Sequence, residues 1–438
     1  MAGDRRATSI GSVPGPADRM LKALLAALAA LAFVTPSAAQ ALSDVPHRSA
    51  PRLSQAARSP LDRSSLHRRL ANLASKGPGK SGYYVYDLDA RRKHVLFDRS
   101  QGRRRKLASN EKLFTTSTAL HVLGADGTIA TRVKRGGTVT KAGRLKGSLY
   151  LVGGGDPSFG SAGITDLAND VRRAGIASVK GTVIADDTIF DRVRGVPGTG
   201  NQADADLAPL SGLVYGGSTY SEDPAKAAGV AFRDRLREIG VDIDGKVKVR
   251  PVPKSLRGSA AVGEYESPSI AALAADTNKP SNNFYAEMLL KRLVATDRRQ
   301  GTTAAGAKAV KGYARALGSK VDANDGSGLT EGDKSSPKDI VKLLSAVRRV
   351  KGVGAPLFSS LAIAGKDGTL IDRMGGTAAA GRCRGKTGTI TGVSNLSGYC
   401  RSGGHLIAYS ILMNGVGDYD YARSIQDRMV VEIARYRP

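Results

Sequence analysis

The chain has 438 residues, of which 41% are hydrophobic, 24% charged and 5% aromatic. A chain of this length can bury a large core, and its length predicts two to three domains. The formal charge of +27 raises the question of a nucleic-acid partner, but the basic residues are spread along the whole chain with little aromatic interleaving and no recognisable nucleic-acid-binding module. We therefore expect no nucleic-acid function.

The N-terminal segment has the three parts of a secretory signal peptide. Basic residues precede an apolar run at residues 23–34, and the stretch Ser-Ala-Ala-Gln-Ala follows it at 37–41. The apolar run is too short to span a bilayer, for which about 20 apolar residues are needed. We expect residues 1–41 to be a signal peptide with a long leader, and the mature protein to be exported to the periplasm or the cell exterior and associated with the cell envelope. The sequence leaves open whether translation starts at Met1 or Met20.

The mature chain begins with a segment, residues 42–63, that is rich in Ser, Pro and Arg and predicts a flexible tail. Apolar runs at 83–86 and 95–97 then bracket a polar turn, which predicts a β-hairpin. The run 109–124 is rich in helix formers and ends at a glycine, which predicts a helix.

A long stretch, about 170 residues, separates Lys112 in this helix from the next candidate motif. It predicts an inserted domain at residues 131–256, in which short β-type runs alternate with helical segments. Candidate strands lie at 148–152 and 183–184, and candidate helices at 164–174 and 225–239.

The domain around this insertion is discontinuous, with parts at residues 64–130 and 257–438. Its second part predicts helices up to residue 350, then two strands, and a closing helix at 419–435. We expect this discontinuous domain to carry the chemistry.

Three short motifs occur in an informative order. They are Ser-Asn-Glu-Lys at 109–112, Ser-Asn-Asn at 281–283 and Lys-Thr-Gly-Thr at 386–389. Each is weak alone, because residues 335–338 also fit Ser-x-x-Lys and residues 80–82 also fit Lys-Ser/Thr-Gly. Only the first three together have the order and context of a serine acyl-transfer site that needs no histidine.

The first two motifs supply candidate catalytic groups. Residues three apart on a helix share a face, so Lys112 can reach the hydroxyl of Ser109. Lys112 can take the proton of that nucleophile only if burial, or a nearby cation such as Lys386, holds the amine neutral. Ser281 would then relay a proton toward the leaving amine, and the side-chain amide of Asn283 would hold the substrate backbone.

The third motif predicts substrate binding by a strand. Thr387 and Thr389 alternate along it and can point hydroxyls at a substrate carboxylate, while an edge strand can pair with an extended peptide. The backbone N–H groups of Ser109 and Thr389 are the candidate oxyanion hole. The two cysteines have no nearby histidine cluster, so we expect neither a metal site nor another cofactor.

The two cysteines flank the start of the third motif and the strand that follows it. A turn around residues 393–394 would place Cys383 and Cys400 opposite each other in an antiparallel pair. In an oxidising compartment this arrangement predicts a disulfide, and two free buried thiols are the alternative.

The ordered motifs resemble those of penicillin-binding proteins and serine β-lactamases. Further stretches are similar to one branch of that superfamily, the D-alanyl-D-alanine carboxypeptidase/endopeptidase family of low-molecular-mass class C penicillin-binding proteins (peptidase family S13). The likeness runs from about residue 82 to the C-terminus. It is carried by residues 107–116, 147–157, 325–330, 368–370 with Arg373, and 396–399.

This resemblance implies both a fold and a function. The fold is an α+β sandwich of the α/β class, a discontinuous transpeptidase domain of the penicillin-binding-protein/β-lactamase type with an inserted second domain. The function is that of a serine D,D-carboxypeptidase/endopeptidase that cleaves D-alanyl bonds of peptidoglycan stem peptides through an acyl-enzyme and is inhibited covalently by β-lactams. Asp156 becomes a candidate partner for a substrate ammonium, although an Asp before Pro most often forms a turn. Glu331 stands where the family often has a basic residue, so the preferred stem-peptide diamino acid stays open.

Two other functions are compatible with part of the same pattern. A serine β-lactamase shares the acylation chemistry, but no Glu-x-x-Leu-Asn stretch lies between Asn283 and Lys386. A catalytically silent wall-binding protein is disfavoured by the intact Ser109 and Lys112. The positive charge predicts weak attraction to anionic cell-envelope polymers, or a solvated basic surface without a specific partner. The sequence gives neither the oligomeric state nor the balance of carboxypeptidase and endopeptidase activity.

Overall fold

The computed structural model describes residues 60–200, 202–217 and 219–438. The predicted signal peptide and most of the predicted tail lie outside these residues. The last part of that tail belongs to the fold, because the Leu61 N–H donates to a carbonyl near the C-terminus and Asp62 caps the first helix. Among the described residues, no helix is long and apolar enough to cross a membrane.

Strands and helices are interspersed along the described chain. The predicted N-terminal hairpin and the helix after Ser109 are both confirmed. The strands are β1 (Gly82–Asp87), β2 (Val95–Arg99), β3 (Arg105–Lys106), β4 (Ala130–Gly136), β5 (Arg144–Leu145), β6 (Ser148–Val152), β7 (Ser178–Val179), β8 (Val183–Asp186), β9 (Asp242–Ile243), β10 (Lys248–Val249), β11 (Gly263–Glu266), β12 (Val321–Asp322), β13 (Lys334–Ser335), β14 (Ala362–Ile363), β15 (Cys383–Ile390), β16 (Val393–Ser402) and β17 (His405–Asn414). The helices are α1 (Arg63–Ser75), α2 (Glu111–Leu123), α3 (Ser161–Arg173), α4 (Pro224–Glu238), α5 (Lys254–Arg257), α6 (Ile270–Asn278), α7 (Asn283–Arg292), α8 (Thr303–Ala316), α9 (Pro337–Val347), α10 (Gly354–Ser360) and α11 (Tyr419–Ala434).

The largest of the four sheets in the described residues is antiparallel and has six strands in the order β14-β15-β16-β17-β1-β2. The sequence predicts only two strands before the closing helix, and this is wrong, because β14 and three long strands lie there. The missed boundary is the turn between β16 and β17, where Gly403 and Gly404 have φ values of 57° and 82°. Two glycines at positive φ suit a tight hairpin turn, so they are the sequence signal for the additional strand.

Helices cover both faces of the six-stranded sheet. α1 and α11 pack on one face, where the buried core contains Leu66 of α1, Ile425 of α11 and Ile411 of β17. α2, α6, α8, α9 and α10 cover the other face, with Leu113 of α2 and Leu412 of β17 among the core residues. Because successive side chains alternate across a strand, β17 supplies apolar groups to both cores.

A second sheet lies within residues 130–266. Its five strands run in the order β10-β8-β6-β4-β11, and α3 and α4 share its core. β6 has the predicted bounds, and α3 and α4 lie close to theirs. Phe284 and Met288 of α7 also enter this core, so the second sheet packs on a helix of the surrounding domain. The limits of the inserted domain at 131–256 stay a prediction, and β11, which follows that range, pairs with β4.

Strands β15 and β16 form the hairpin that carries the third motif. Their register places Cys383 opposite Cys400, and a disulfide joins the two side chains. The turn lies at residues 391–392, just before the position that the sequence predicts. The structure therefore contains the disulfide that the sequence predicts.

Loss of this disulfide is expected to lower the free energy of unfolding by about 3 kcal/mol, because the cross-link reduces the entropy of the unfolded chain. The two cysteines are 17 residues apart, and the loop between them contains Lys386 and Thr389. Thermal and urea unfolding of the double variant Cys383→Ala, Cys400→Ala, compared with the oxidised wild type, measures the loss. Non-reducing peptide mapping that finds two free thiols in protein from its native compartment would refute the bond.

Candidate active site

Ser109 lies in a backbone turn that the surrounding structure holds in place. The short 3-10 turn Ala108–Asn110 leads directly into α2, and Ala108 has φ of 45°, a left-handed conformation that is costly for a residue with a side chain. Gly328, itself at φ 86°, packs against this turn so closely that a Cβ atom on it would lie 1.9 Å from the Ala108 carbonyl oxygen. Only glycine fits there, so the loop around Gly328 helps to fix where α2 begins.

Lys112 is buried one helical turn after Ser109, and its amine has three close partners. Its Nζ atom lies 2.9 Å from Ser109 Oγ, 2.7 Å from Asn283 Oδ1 and 2.8 Å from the Ser327 carbonyl oxygen. The first and second motifs therefore meet at this amine. The Ser109 proton can pass directly to Lys112 when the amine is neutral.

Burial favours the neutral form of this lysine. It lowers the pKa of Lys112 from 10.5 to about 8, although nearby carboxylates, Asp325 and Glu287 first, act in the opposite direction. Burial also lowers the pKa of Lys386 well below its usual value, and the charge of Lys112 adds to that effect. Of the two ways to keep Lys112 neutral, burial or a neighbouring cation, burial is thus the main one.

The second motif lies at the start of α7. Ser281 has a positive φ of 65°, and the side chain of Asn282 caps the helix. Asn283, the first helical residue, donates Nδ2 to the Asp206 carbonyl (3.1 Å), which leaves its Oδ1 facing Lys112. The Ser281 hydroxyl makes no hydrogen bond within the part of the chain that the structure describes. Asn283 is therefore brought to Lys112, whereas no hydrogen bond joins the Ser281 hydroxyl to Ser109 or Lys112 in the described residues.

The strand β15 brings the third motif to the first turn of α2. Asn110 donates its side-chain amide to the Lys386 carbonyl (3.1 Å), and a Cβ atom on Gly388 would lie 2.9 Å from that amide nitrogen. The buried Nζ of Lys386 donates to the Thr387 carbonyl (3.0 Å), and the Thr387 hydroxyl donates to the Thr369 hydroxyl (2.9 Å). The strand and the helix are thus held together beside Ser109.

Within the part of the chain that the structure describes, one edge of β15 lacks a partner strand along most of its length. β14 pairs with this edge only at Arg384 and Gly385. Thr389 is exposed further along the strand, and Ser394 of β16 lies opposite it on the other side. Among the described residues, no strand pairs with this edge after Gly385, so it is open to an extended ligand.

Asp156 lies after β6 and forms a turn. Its Oδ1 accepts hydrogen bonds from the N–H (2.8 Å) and the hydroxyl (2.6 Å) of Ser158. Its Oδ2 is buried without a partner among the described residues, and burial raises the pKa of this carboxyl. The turn-forming geometry is therefore present, and the second oxygen is enclosed by the protein without a partner among the described residues.

Several residues around Lys112 are not predicted from the sequence. Ser327 takes part through its backbone carbonyl, and the nearby carboxyl groups of Asp325, Glu287 and Glu111 are fully buried. Glu287 lies one helical turn after Asn283, so the two share a face of α7, and this spacing is the signal that places Glu287 near the motif. Asp325 and Ser327 lie in the stretch 325–330 that carries the family resemblance, and Glu111 lies in the first motif, but neither pattern gives these residues a role at Lys112.

The comparison with known proteins decides the family. The family model of D-Ala-D-Ala carboxypeptidase 3 (S13) matches residues 66–221 and 208–436 of this chain. The chain belongs to this family. Two relatives are similar over most of their length. The D-alanyl-D-alanine carboxypeptidase of Actinomadura sp. (strain R39) is 29% identical over 78% of this chain and 79% of its own length. Carboxypeptidase DacB of Mycolicibacterium smegmatis is 28% identical over 71% of each chain.

Solved structures of this kind have the same fold. Penicillin binding protein 4 (dacB) of Haemophilus influenzae superposes with a TM-score of 0.72 at 20% identity, covering 84% of this chain and 99% of its own. A predatory peptidoglycan endopeptidase from Bdellovibrio bacteriovorus superposes with a TM-score of 0.52 at 20% identity, covering 78% and 87%. The expected penicillin-binding-protein fold with an inserted second domain is confirmed.

Proposed function

We propose that this protein is an exported serine D,D-carboxypeptidase/endopeptidase that cleaves D-alanyl bonds of peptidoglycan stem peptides through an acyl-enzyme. One observation carries the proposal: the Ser109 hydroxyl lies 2.9 Å from the buried amine of Lys112 in a chain of the D-Ala-D-Ala carboxypeptidase family. The names of the relatives favour a peptidase over a β-lactamase or a silent wall-binding protein.

The reaction follows from the groups at the site. Ser109 Oγ attacks the D-alanyl carbonyl carbon, and its proton passes to neutral Lys112. The backbone N–H groups of Ser109 and Thr389 stabilise the oxyanion of the tetrahedral intermediate. The bond to the leaving amine breaks, Ser281 helps to protonate that amine, and an ester remains on Ser109. Water then hydrolyses the ester and restores the serine hydroxyl.

Substrate contacts are assigned to side chains of the second and third motifs. The stem peptide lies along the open edge of β15, where Lys386, Thr387 and Thr389 meet its terminal carboxylate and Asn283 holds its backbone. The unpaired Oδ2 of Asp156 supports a contact with a substrate ammonium.

The position of Glu331 bears on the diamino acid of the stem peptide. Its carboxylate forms an ion pair with Lys106 (2.6 Å) at the surface. It therefore offers no positive charge to a carboxylate on that diamino acid, unlike the basic residue that relatives often carry here.

The partners and the location follow from the same proposal. β-Lactams would acylate Ser109 as substrate analogues, and the Haemophilus influenzae protein has been solved as a complex with a β-lactam. The substrate lies outside the cytoplasm, which agrees with the predicted signal peptide. The net charge of +27 would add a weak attraction to anionic cell-envelope polymers.

Digestion of purified muropeptides tests the proposed function. Incubation of the mature protein with pentapeptide monomers is expected to release one D-alanine, and incubation with cross-linked dimers is expected to give monomers, both identified by mass. The rate of D-alanine release and the rate of dimer cleavage give the relative carboxypeptidase and endopeptidase activities. Rapid turnover of a β-lactam without any muropeptide product would instead identify a β-lactamase.

The rate of acylation is expected to rise with pH through the pKa of Lys112, which is about 8. The neutral amine is the active form, and below the pKa its fraction falls about tenfold for each unit of pH. Acylation by a β-lactam, followed by rapid mixing across this range, measures the profile. A rate that is independent of pH through the same range would show that Lys112 is not the base.

A further inference from the structure

The three partners of Lys112 determine where its lone pair points when the amine is neutral. A neutral amine has two N–H groups and one lone pair. The Ser327 carbonyl oxygen can only accept, and so can Asn283 Oδ1, because the amide nitrogen of Asn283 is already donated to the Asp206 carbonyl. These two acceptors take both N–H groups, so the lone pair faces Ser109 Oγ at 2.9 Å.

The Ser327 carbonyl is held by two buried carboxyl groups. Oε1 of Glu287 accepts the N–H groups of Gly326 (2.9 Å) and Ser327 (2.7 Å). Oδ1 of Asp325 accepts those of Ser327 (3.0 Å) and Gly328 (2.6 Å). Four hydrogen bonds thus fix the peptide units on both sides of this carbonyl.

The two carboxyl groups come from different parts of the chain. Glu287 lies on α7, one turn after Asn283, and Asp325 lies in the loop between β12 and β13. Oδ2 of Asp325 also accepts the Thr330 N–H (2.7 Å), so the loop is bonded at several points. Glu287 on α7 therefore helps to determine where the Ser327 carbonyl lies relative to the amine of Lys112.

We propose that Glu287 and Asp325 are positioning residues for the general base: they hold the Ser327 carbonyl against the amine of Lys112 and so aim its lone pair at Ser109. This inference rests on the proposed function of Ser109 and Lys112. Both carboxyl groups are fully buried, and both act through the backbone of one loop.

Electrostatics supports the same arrangement. Burial raises the pKa of Glu287 to about 8, so this carboxyl group is mostly neutral near neutral pH, whereas Lys112, whose pKa burial lowers to about 8, is mostly neutral only above that pH. A neutral Glu287 still accepts the two N–H groups through Oε1. Glu111 differs, because both of its buried oxygens lack a hydrogen-bond partner among the described residues.

A pair of substitutions at Glu287 separates positioning from charge. Glu287→Gln and Glu287→Met both remove the acid, but only Gln keeps an oxygen that can accept the Gly326 and Ser327 N–H groups. Loss of alignment at a reacting group costs on the order of 10²-fold in rate, so Glu287→Met is expected to acylate about that much more slowly than wild type, and Glu287→Gln to recover most of the loss. Glu111→Met is the matched control, since it removes a buried acid next to Lys112 that bonds to no loop, and it should lose far less.

The acylation rate is measured at saturating β-lactam and normalised to the number of sites that are finally labelled. A merely structural role would lower the melting temperature and leave this normalised rate unchanged. Equal rates for Glu287→Met and Glu287→Gln would overturn the positioning role. If the wild type itself is not labelled, the proposed function fails first, so the two failures are distinguishable.

A neutron structure of the wild type tests the inference if Glu287→Met does not fold. Above the pKa of Lys112 of about 8, Nζ is expected to carry two deuterons, directed at Asn283 and Ser327, with the Ser109 deuteron directed at Nζ. A deuteron of Nζ directed at Ser109, with none toward Ser327, would overturn it.

Discussion

Ser109→Ala is expected to abolish covalent labelling by fluorescent penicillin and to stop the release of D-alanine, with the fold intact. Without the hydroxyl there is no oxygen to form the acyl ester, and Lys112 has no proton to accept. Loss of one hydroxyl changes little else, because the helix α2 and the contact of Asn110 with β15 do not depend on it. Gel fluorescence reports the labelling, and circular dichroism reports the fold.

The second Ser-x-x-Lys match in the chain offers a matched control. Ser335 donates its hydroxyl to the Lys320 carbonyl, and Lys338 is exposed, so this pair does not form a buried serine–lysine contact. Ser335→Ala should therefore label at the wild-type level. Labelling that survives Ser109→Ala would remove Ser109 as the nucleophile.

The local part of the site can be predicted from the sequence. A serine and a lysine three residues apart share a helix face, so the 2.9 Å contact of Ser109 and Lys112 needs only the helix to form. The helix formers and the terminal Gly124, at φ 81°, indicate that helix. The pairing of Cys383 with Cys400 can also be predicted from local sequence, because a hairpin turn determines which residues lie opposite each other.

Contacts between distant segments cannot be read from such patterns. Asn283 and Ser327 reach Lys112 over sequence separations of 171 and 215 residues, and no local period specifies either contact. The positive φ of Ala108 has the same origin, since Gly328, from a distant part of the chain, packs against this turn.

The six-stranded sheet also contains pairings between distant strands that no local sequence pattern specifies. β1 pairs with β17, so Tyr83 near the N-terminal end of the domain lies opposite Ile411 near its C-terminal end. An apolar run predicts β1, whereas the sequence analysis misses β17 as a separate strand, and no local pattern specifies that these two strands pair. The order of the strands therefore depends on the whole core.

Lys112→Arg is expected to lose nearly all acylation, by about 10²–10⁴-fold, which is the usual contribution of a general base. A guanidinium group is not deprotonated in proteins, so arginine cannot take the Ser109 proton even where burial favours the neutral form. Arginine is also larger, and the amine of Lys112 is enclosed by acceptors at 2.7 to 2.9 Å. Stopped-flow acylation by a β-lactam measures the rate, and equilibrium binding of a non-reactive stem-peptide analogue separates the base from the binding site.

Lys338→Arg is the matched control for this substitution, because Lys338 occupies the same place in the decoy motif but is exposed. It should acylate at the wild-type rate, which shows that a Lys-to-Arg change is not harmful in itself. Acylation by Lys112→Arg that approaches the wild-type rate would exclude the neutral-lysine mechanism, since burial of Lys112 would then serve folding and not proton transfer. Loss of acylation with retained binding would instead place the defect at the proton-transfer step, where Ser109 loses its proton to the amine.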